Sequence, residues 1–448
     1  MFWHIVKNRT TALLPASLVG TWPVIVSAFF LMAAFGCIAP AVTLQGEALG
    51  WSASDIGMLF TCAVIGRIVA LFGGPYIIRY VGLNTFIPAA FAIITVALAL
   101  PAINPDAYAL WMSHEALRGL LVGPVYVIFD LWLYARTREN ELSRVFTLYF
   151  LASMGGYALG PLAIAQTGVG NSGFAICVGA SILSALPILT TRLPDLSITP
   201  PTFGNLRGII KGHTFLWAVC FVAGYATEGV LDFLGMFGLG AGMSEQNALM
   251  LMTWFIAGGL VMQYPLAMVM DRSDKNLFTL GTMGVGVVTA LLLAASAWTG
   301  IGLMTAVFVL GALCSVMGVT GSALLGERFR AAELMLATTM LNICYDAGSM
   351  TGPLLNGYML DHLGYMGLPA VIGSLFLIGG LIALLSYTRS GVPVIEDTQL
   401  PEGEIRLVWR KVSAWTDNNM YTMSKRTRRM STTILRTPCV RMKWVHDS

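Results

Sequence analysis

YALWMSHEALRGLLVGPVYVIFDLWL, residues 108–133, is long and apolar enough to cross a bilayer as one helix. It nevertheless holds Glu115 and Arg118 in its interior, His114 beside the first of these, and Asp130 near its far end. An ionised side chain at bilayer depth costs at least a few kcal/mol. A span that carries four such groups builds a polar cavity or an internal latch, and the rest of the chain bears on which.

Of the 448 residues, 56% are hydrophobic and 11% charged, where an ordinary soluble domain has about 25% charged residues. With a mean hydropathy of +0.74, a soluble fold would need a very large core under almost no polar surface. The composition points to an all-α polytopic membrane protein. Six of the seven cysteines lie in apolar runs and Cys439 in a C-terminal tail, so no disulfide framework, metal site or cofactor is expected. The run Trp22 to Leu44 is too long for the core of a cleavable signal peptide, and further spans follow it.

Twelve apolar segments are expected, at about 22–44, 55–78, 85–103, 108–133, 145–166, 173–191, 214–241, 248–270, 277–298, 301–325, 334–360 and 367–387. The longer break RLPDLSITPPTFGNLRGIIKGH, with its Pro-Pro pair, divides them six and six. The predicted organisation is an N-terminal segment 1–21, a six-helix half 22–191, a linker 192–213, a second half 214–387 and a basic tail 388–448.

Lys and Arg set the orientation. With the N-terminus cytoplasmic, every loop Lys and Arg falls on the cytoplasmic side, among them Arg79, Arg136, Arg138, Arg272, Lys275 and Arg328, and the opposite loops hold none. This positive-inside pattern predicts a multi-pass protein of the cell (inner) membrane with both termini cytoplasmic. The tail, with KRTRR at 425–429, reads as a cytoplasmic extension or a lipid-surface segment rather than a nucleic-acid binder.

The halves repeat. Gly156-x-x-x-Gly160-Pro161 returns as Gly348-x-x-x-Gly352-Pro353, an offset of 192 residues that also carries Gly66 onto Gly258. Two six-helix halves in parallel orientation are a transporter architecture. The stretches PYIIRYVGLNTF (75–86), VYVIFDLWL (125–133), RVFTLYFLASMGGYALGPL (144–162), GGLVMQYPLAMVMDRSDK (258–275) and the GxxxGPLLNGYMLDHLG run (348–364) resemble the major facilitator superfamily, and within it the YcaD-like subgroup of bacterial facilitators. The resemblance implies a secondary transporter and not an enzyme.

It also implies a cytoplasmic turn motif whose acid holds one closed state. The second-half copy keeps Asp271 and Arg272, whereas Arg79 stands where the first-half acid would be. Asp130 is then the expected donor of negative charge, with Arg79, Arg136 and Arg138 as partners. The family's fourth-span arginine falls on Glu115 here, and the arginine comes one turn later at Arg118, placed to pair with it.

The ionisable residues inside spans are Arg67, Glu115, Arg118, Glu228, Asp232 and Asp346, and Asn342 lies one turn before the last. These seven form the expected substrate and ion site. Glu228 and Asp232 are four apart on one face, and two carboxylates in a low-dielectric setting do not both ionise easily, so Glu228 foremost is read as a proton site. Arg118 either binds an anionic group or neutralises Glu115, and Arg67 either faces the cavity or pairs with Asp346. His114 reads as an interfacial or packed histidine. The expected partners are a small solute, protons and the bilayer, with the chain acting as a monomer. Besides uptake, the expectation includes efflux of amphipathic compounds or, from another class, a sensor or scaffold signalling through the tail.

Overall fold

Long apolar runs broken by short polar turns fold as twelve membrane-length helices in a computed structural model, which describes residues 17–138, 141–191, 193, 209–210, 213–296, 300–329 and 331–389. The helices are α1 (Leu18–Leu49), α2 (Ala53–Val81), α3 (Leu83–Ile103), α4 (Tyr108–Arg136), α5 (Leu142–Thr167), α6 (Asn171–Leu189), α7 (Thr214–Gly240), α8 (Glu245–Asp271), α9 (Lys275–Ser296), α10 (Gly300–Arg328), α11 (Ala331–Leu363) and α12 (Gly367–Arg389). They form eleven unbroken apolar stretches, because Leu336–Ser386 spans both α11 and α12. A single 3-10 turn, Gly364–Met366, separates these two, and Gly364 opens it at φ 59°. Among the described residues there is no strand. Most of the linker and nearly all of the tail lie outside the described residues, as do residues 1–16.

Helix ends outrun the apolar segments because backbone groups need partners past the hydrocarbon. Ser52 and Asp55 start α2 with a reciprocal capping box. Two helices are irregular at equivalent depths. α1 breaks at Cys37, where Pro40 offers no N–H to the Gly36 carbonyl. α7 widens into a π-turn over Tyr225–Gly229, which contains Glu228.

The 192-residue repeat is a repeat of packing. A Cβ on Gly156 of α5 would stand 2.0 Å from the Phe29 carbonyl oxygen of α1, and one on Gly348 of α11 would stand 2.1 Å from that of Phe221 in α7. Gly66 of α2 meets Ala116 of α4 as Gly258 of α8 meets Phe308 of α10. Gly119 against Ala63 is repeated as Gly311 against Phe255. Each pair obeys the same offset on both partners. Without a hydrophobic drive between helices in lipid, such backbone-to-backbone approach is what joins them.

The halves meet away from the basic loops. A Cβ on Gly57 would stand 2.4 Å from the Pro353 carbonyl oxygen, and one on Gly357 2.4 Å from that of Ala53. Phe60 and Phe233 make an edge contact across the same seam, with centroids 6.2 Å apart. Asp361 of α11 caps α2 from the other half: Oδ1 accepts the Ala53 N–H at 2.8 Å, and Oδ2 accepts the Ser54 N–H at 3.0 Å and its hydroxyl at 2.5 Å. The far end is closed. A cap is worth about 0.5–2 kcal/mol, so Asp361→Ala is expected to raise the far-end-open population several-fold. Distances between spin labels at exposed Leu49 and Leu363 measure it, and an unchanged distribution refutes the role.

The latch expected at the basic end belongs to a state closed there, and the state described here, closed at the far end, does not form it. Among the described residues Asp130 forms no ion pair with Arg79, Arg136 or Arg138, and Asp271 forms none with Arg272. All three arginines are exposed, as are Asp271 and Arg272. Long cationic side chains at a membrane surface gain more from water than from an ordered pair. The basic end is held within the second half by Lys275 with Glu327, and by Arg328 donating to Asn276 Oδ1 at 2.8 Å.

Candidate functional site

A cavity of about 600 Å³ lies between the halves. Its wall comes from α1, α2, α4, α5, α7, α8, α10 and α11, and none of it from α3, α6, α9 or α12, whose membrane-depth segments carry no Asp, Glu, Lys, Arg or His. On α4, α5, α8 and α10 the wall runs from the helix middles towards the basic end, through Tyr126, Phe150, Gln263 and Val319. With the far end closed, that is the open side. Most of the wall is apolar or aromatic, including Phe35, Phe60, Phe150, Phe255, Tyr157 and Tyr345.

Arg67, midway along α2, ties the halves together. Its Nη1 and Nη2 donate to the two Glu228 carboxylate oxygens at 2.7 and 3.0 Å, and its Nε donates to Asp346 Oδ1 at 3.0 Å. Glu228 is on α7 and Asp346 on α11, so one guanidinium from the first half engages two carboxylates of the second. The bidentate fork is the strong form of this pair. Arg67 both lines the cavity and pairs with Asp346.

Arg118 takes the neutralising arrangement. Its Nε and Nη2 donate to Glu115 Oε2 at 2.9 and 2.5 Å, and its guanidinium lies 5.9 Å from the centre of the Phe35 ring. Glu115 is fully buried behind it. Arg67, Arg118, Glu228 and Asp232 therefore reach the wall, while Asp346 and Glu115 stand behind the arginines as their counter-ions. Asn342 is exposed and contributes nothing to the wall, since it lies one turn nearer the basic end of α11 than Asp346.

Asp232 is the exception. It lines the cavity, and among the described residues it has no hydrogen bond or ion pair. Glu228, the foremost proton site in the sequence reading, is instead held by Arg67. Two guanidiniums face four carboxylates in this region, a formal charge of −2 when all are ionised.

Sequence reasoning passed over three polar groups. Asp361 closes the far end. Asn356, buried in α11, accepts from the Tyr225 hydroxyl at 2.8 Å and donates to the Gly229 carbonyl at 2.6 Å, satisfying the π-turn. Gln263 lies on the wall. The first two sit in the run 348–364, where an amide and an acid in an apolar span were the available signal.

Comparison with known proteins agrees with this architecture. A sequence profile described as Major Facilitator Superfamily matches residues 233–424. An uncharacterised transporter of that type, YcaD of Escherichia fergusonii, is 21% identical over 344 residues, which is 76% of this chain and 88% of that one. The YcaD protein of Salmonella enteritidis is 20% identical over 370 residues, 81% of this chain and 94% of its own. Among solved structures, the nucleoside transporter NupG superposes with a TM-score of 0.68 at 12% identity, covering 82% of this chain and 98% of that one. A mutant of NupG gives a TM-score of 0.70 at 10% identity, covering 82% of this chain and 99% of that one. The likeness to NupG is one of fold. The likeness to YcaD extends over most of the sequence.

Proposed function

We propose that this membrane transporter is a proton-coupled secondary transporter of the major facilitator superfamily that moves a small solute through the central cavity by alternating access. In this reading it sits in the cell (inner) membrane with both termini cytoplasmic, and the state described here is open to the cytoplasm. The carrying observation is Asp232, a cavity-wall carboxylate with no hydrogen-bond or ion-pair partner among the described residues, next to the Arg67 bridge that joins the halves. A proton on Asp232 removes a charge from the low-dielectric wall. When the proton leaves, the anion seeks a cation, and the nearest are Arg118 and Arg67. Competition for those guanidiniums loosens the pairs that hold one state.

The same charges bear on the solute. All three nitrogens of Arg67 are spent on carboxylates, and Arg118 is spent in part on Glu115. A wall with surplus negative charge and aromatic faces fits a neutral or cationic solute better than an anion. This favours efflux of amphipathic compounds as the second reading over uptake of anionic metabolites.

The test needs no identified substrate. Spin labels at exposed Tyr80 and Tyr264, in a background without native cysteines, report the separation of the halves at the basic end. Lowering the pH from about 8 to about 5.5 is expected to shift the distance distribution in the parent chain and not in Asp232→Asn. Identical distributions at both pH values in the parent chain would sink the coupled reading.

A further inference from the structure

His114 and Glu115 raise a question that the cavity does not answer. His114 Nε2 and Glu115 Oε1 lie 3.7 Å apart, on side chains with no exposure at all. Each atom is without a hydrogen-bond partner among the described residues. Two buried polar atoms that face each other unsatisfied would each forfeit a hydrogen bond's worth of stability.

The tautomer follows from a proline. His114 Nδ1 lies 2.9 Å from the Ala97 carbonyl oxygen of α3. In a regular helix that carbonyl accepts from the residue four positions on, which here is Pro101, and proline has no N–H to give. The Ala97 oxygen is therefore free in its own helix, and a carbonyl can only accept. Nδ1 must be the protonated nitrogen. In neutral His114 this leaves the Nε2 lone pair pointing at a carboxylate oxygen, acceptor against acceptor.

We propose that the His114–Glu115 pair is a proton-binding site, distinct from Asp232, that takes up one proton between Nε2 and Oε1. The proton adds to the Nε2 lone pair, no other bond breaks, and the new N–H donates to Oε1 while Oε2 keeps its bonds from Arg118. Every buried polar atom of the pair is then satisfied. The charged and titratable groups facing it are few. Arg118 holds Glu115 on the same helix, the Cys62 thiol of α2 faces Glu115, and α3 presents only the Ala97 carbonyl. Beyond Arg118 stand Tyr157 of α5 and Asp232 of α7. Unprotonated, the His114, Glu115 and Arg118 group is neutral. Protonated, it carries one positive charge, and ionised Asp232 is the anion placed to balance it. Protonation also fixes Glu115, and through it the Arg118 guanidinium on the cavity wall. That link to transport rests on the coupled reading above, whereas proton binding itself does not.

The test is nitrogen NMR of the full chain in lipid, labelled at histidine. Five histidines are present, and replacing the other four (His4, His213, His362 and His446) with glutamine leaves His114 as the only signal without touching the site. At about pH 9 the ring is expected to be neutral with its hydrogen on Nδ1. Towards about pH 5, the unprotonated nitrogen signal is expected to vanish as both nitrogens become protonated. Glu115→Gln puts an amide N–H against Nε2 and is expected to keep the ring neutral throughout. A neutral ring carrying its hydrogen on Nε2, or no titration in the parent chain, overturns the site whatever the label distances show. A titrating His114 alongside pH-insensitive distances leaves the site standing and removes the coupled reading instead.

Discussion

Arg67→Ala is expected to be the most damaging single polar substitution in the bundle. It leaves Glu228 and Asp346, both of the second half, beside the seam with no cation between them. Removing one member of a buried ion pair costs about 3–5 kcal/mol. The side chains of Arg67 and Glu228 keep 28% and 31% exposure, so water screens part of this, and about 2–4 kcal/mol is the expected loss. Thermal unfolding in detergent, followed by tryptophan fluorescence, reads it as a lower midpoint. Arg67→Lys keeps the charge but not the three-nitrogen fork, and its midpoint should fall between the two. Combining Arg67→Ala with Glu228→Gln and Asp346→Asn removes the orphaned charges and should recover much of the lost stability. If Arg67→Ala unfolds with the parent chain, or the triple variant is no better than the single, the bridge is not what holds the seam.

Gly57→Val and Gly156→Val should behave oppositely although both insert bulk where a backbone approaches closely. At Gly57 the new Cβ meets Pro353 across the seam between halves, 2.4 Å away. The halves can separate there by rocking, so the wedge is expected to open the far end and close the basic end without loss of fold. Overpacking costs about 1–3 kcal/mol, enough to shift a two-state population about fivefold or more. Labels at Leu49 and Leu363 should move apart, and those at Tyr80 and Tyr264 should approach. At Gly156 the Cβ would stand 2.0 Å from Phe29 inside the first half, where nothing rocks, and the protein should fail to reach the membrane folded. A folded Gly156→Val, or a Gly57→Val with unchanged distances at both ends, contradicts the division into rigid halves.

These two glycines show what was readable in advance. Gly156 belongs to a motif repeated at a constant offset, and the offset holds for both partners of three packed pairs. Gly57 belongs to no repeat: its partner, Pro353, lies 296 residues away in the other half, and no local pattern announces it. The long span 108–133 behaves in the same way. Its Glu115–Arg118 pair is set by helical spacing alone and was legible. Its Asp130, given arginines by sequence reasoning for the state closed at the basic end, forms no ion pair among the described residues in this far-end-closed state, because which state is populated is decided by contacts between halves rather than within the helix.

Hydropathy, the positive-inside pattern and the repeat together determined the twelve helices, their grouping in sixes and the confinement of charge to the inner helices, since each follows from periodicity and transfer energy along one chain. The tertiary structure alone decided which carboxylates Arg67 holds, that Glu228 is paired and Asp232 is not, and that His114 meets Glu115 through a tautomer fixed by Pro101 on another helix. Ion pairs and tautomers depend on distances of a few ångströms between helices far apart in sequence, and no single helix encodes those distances.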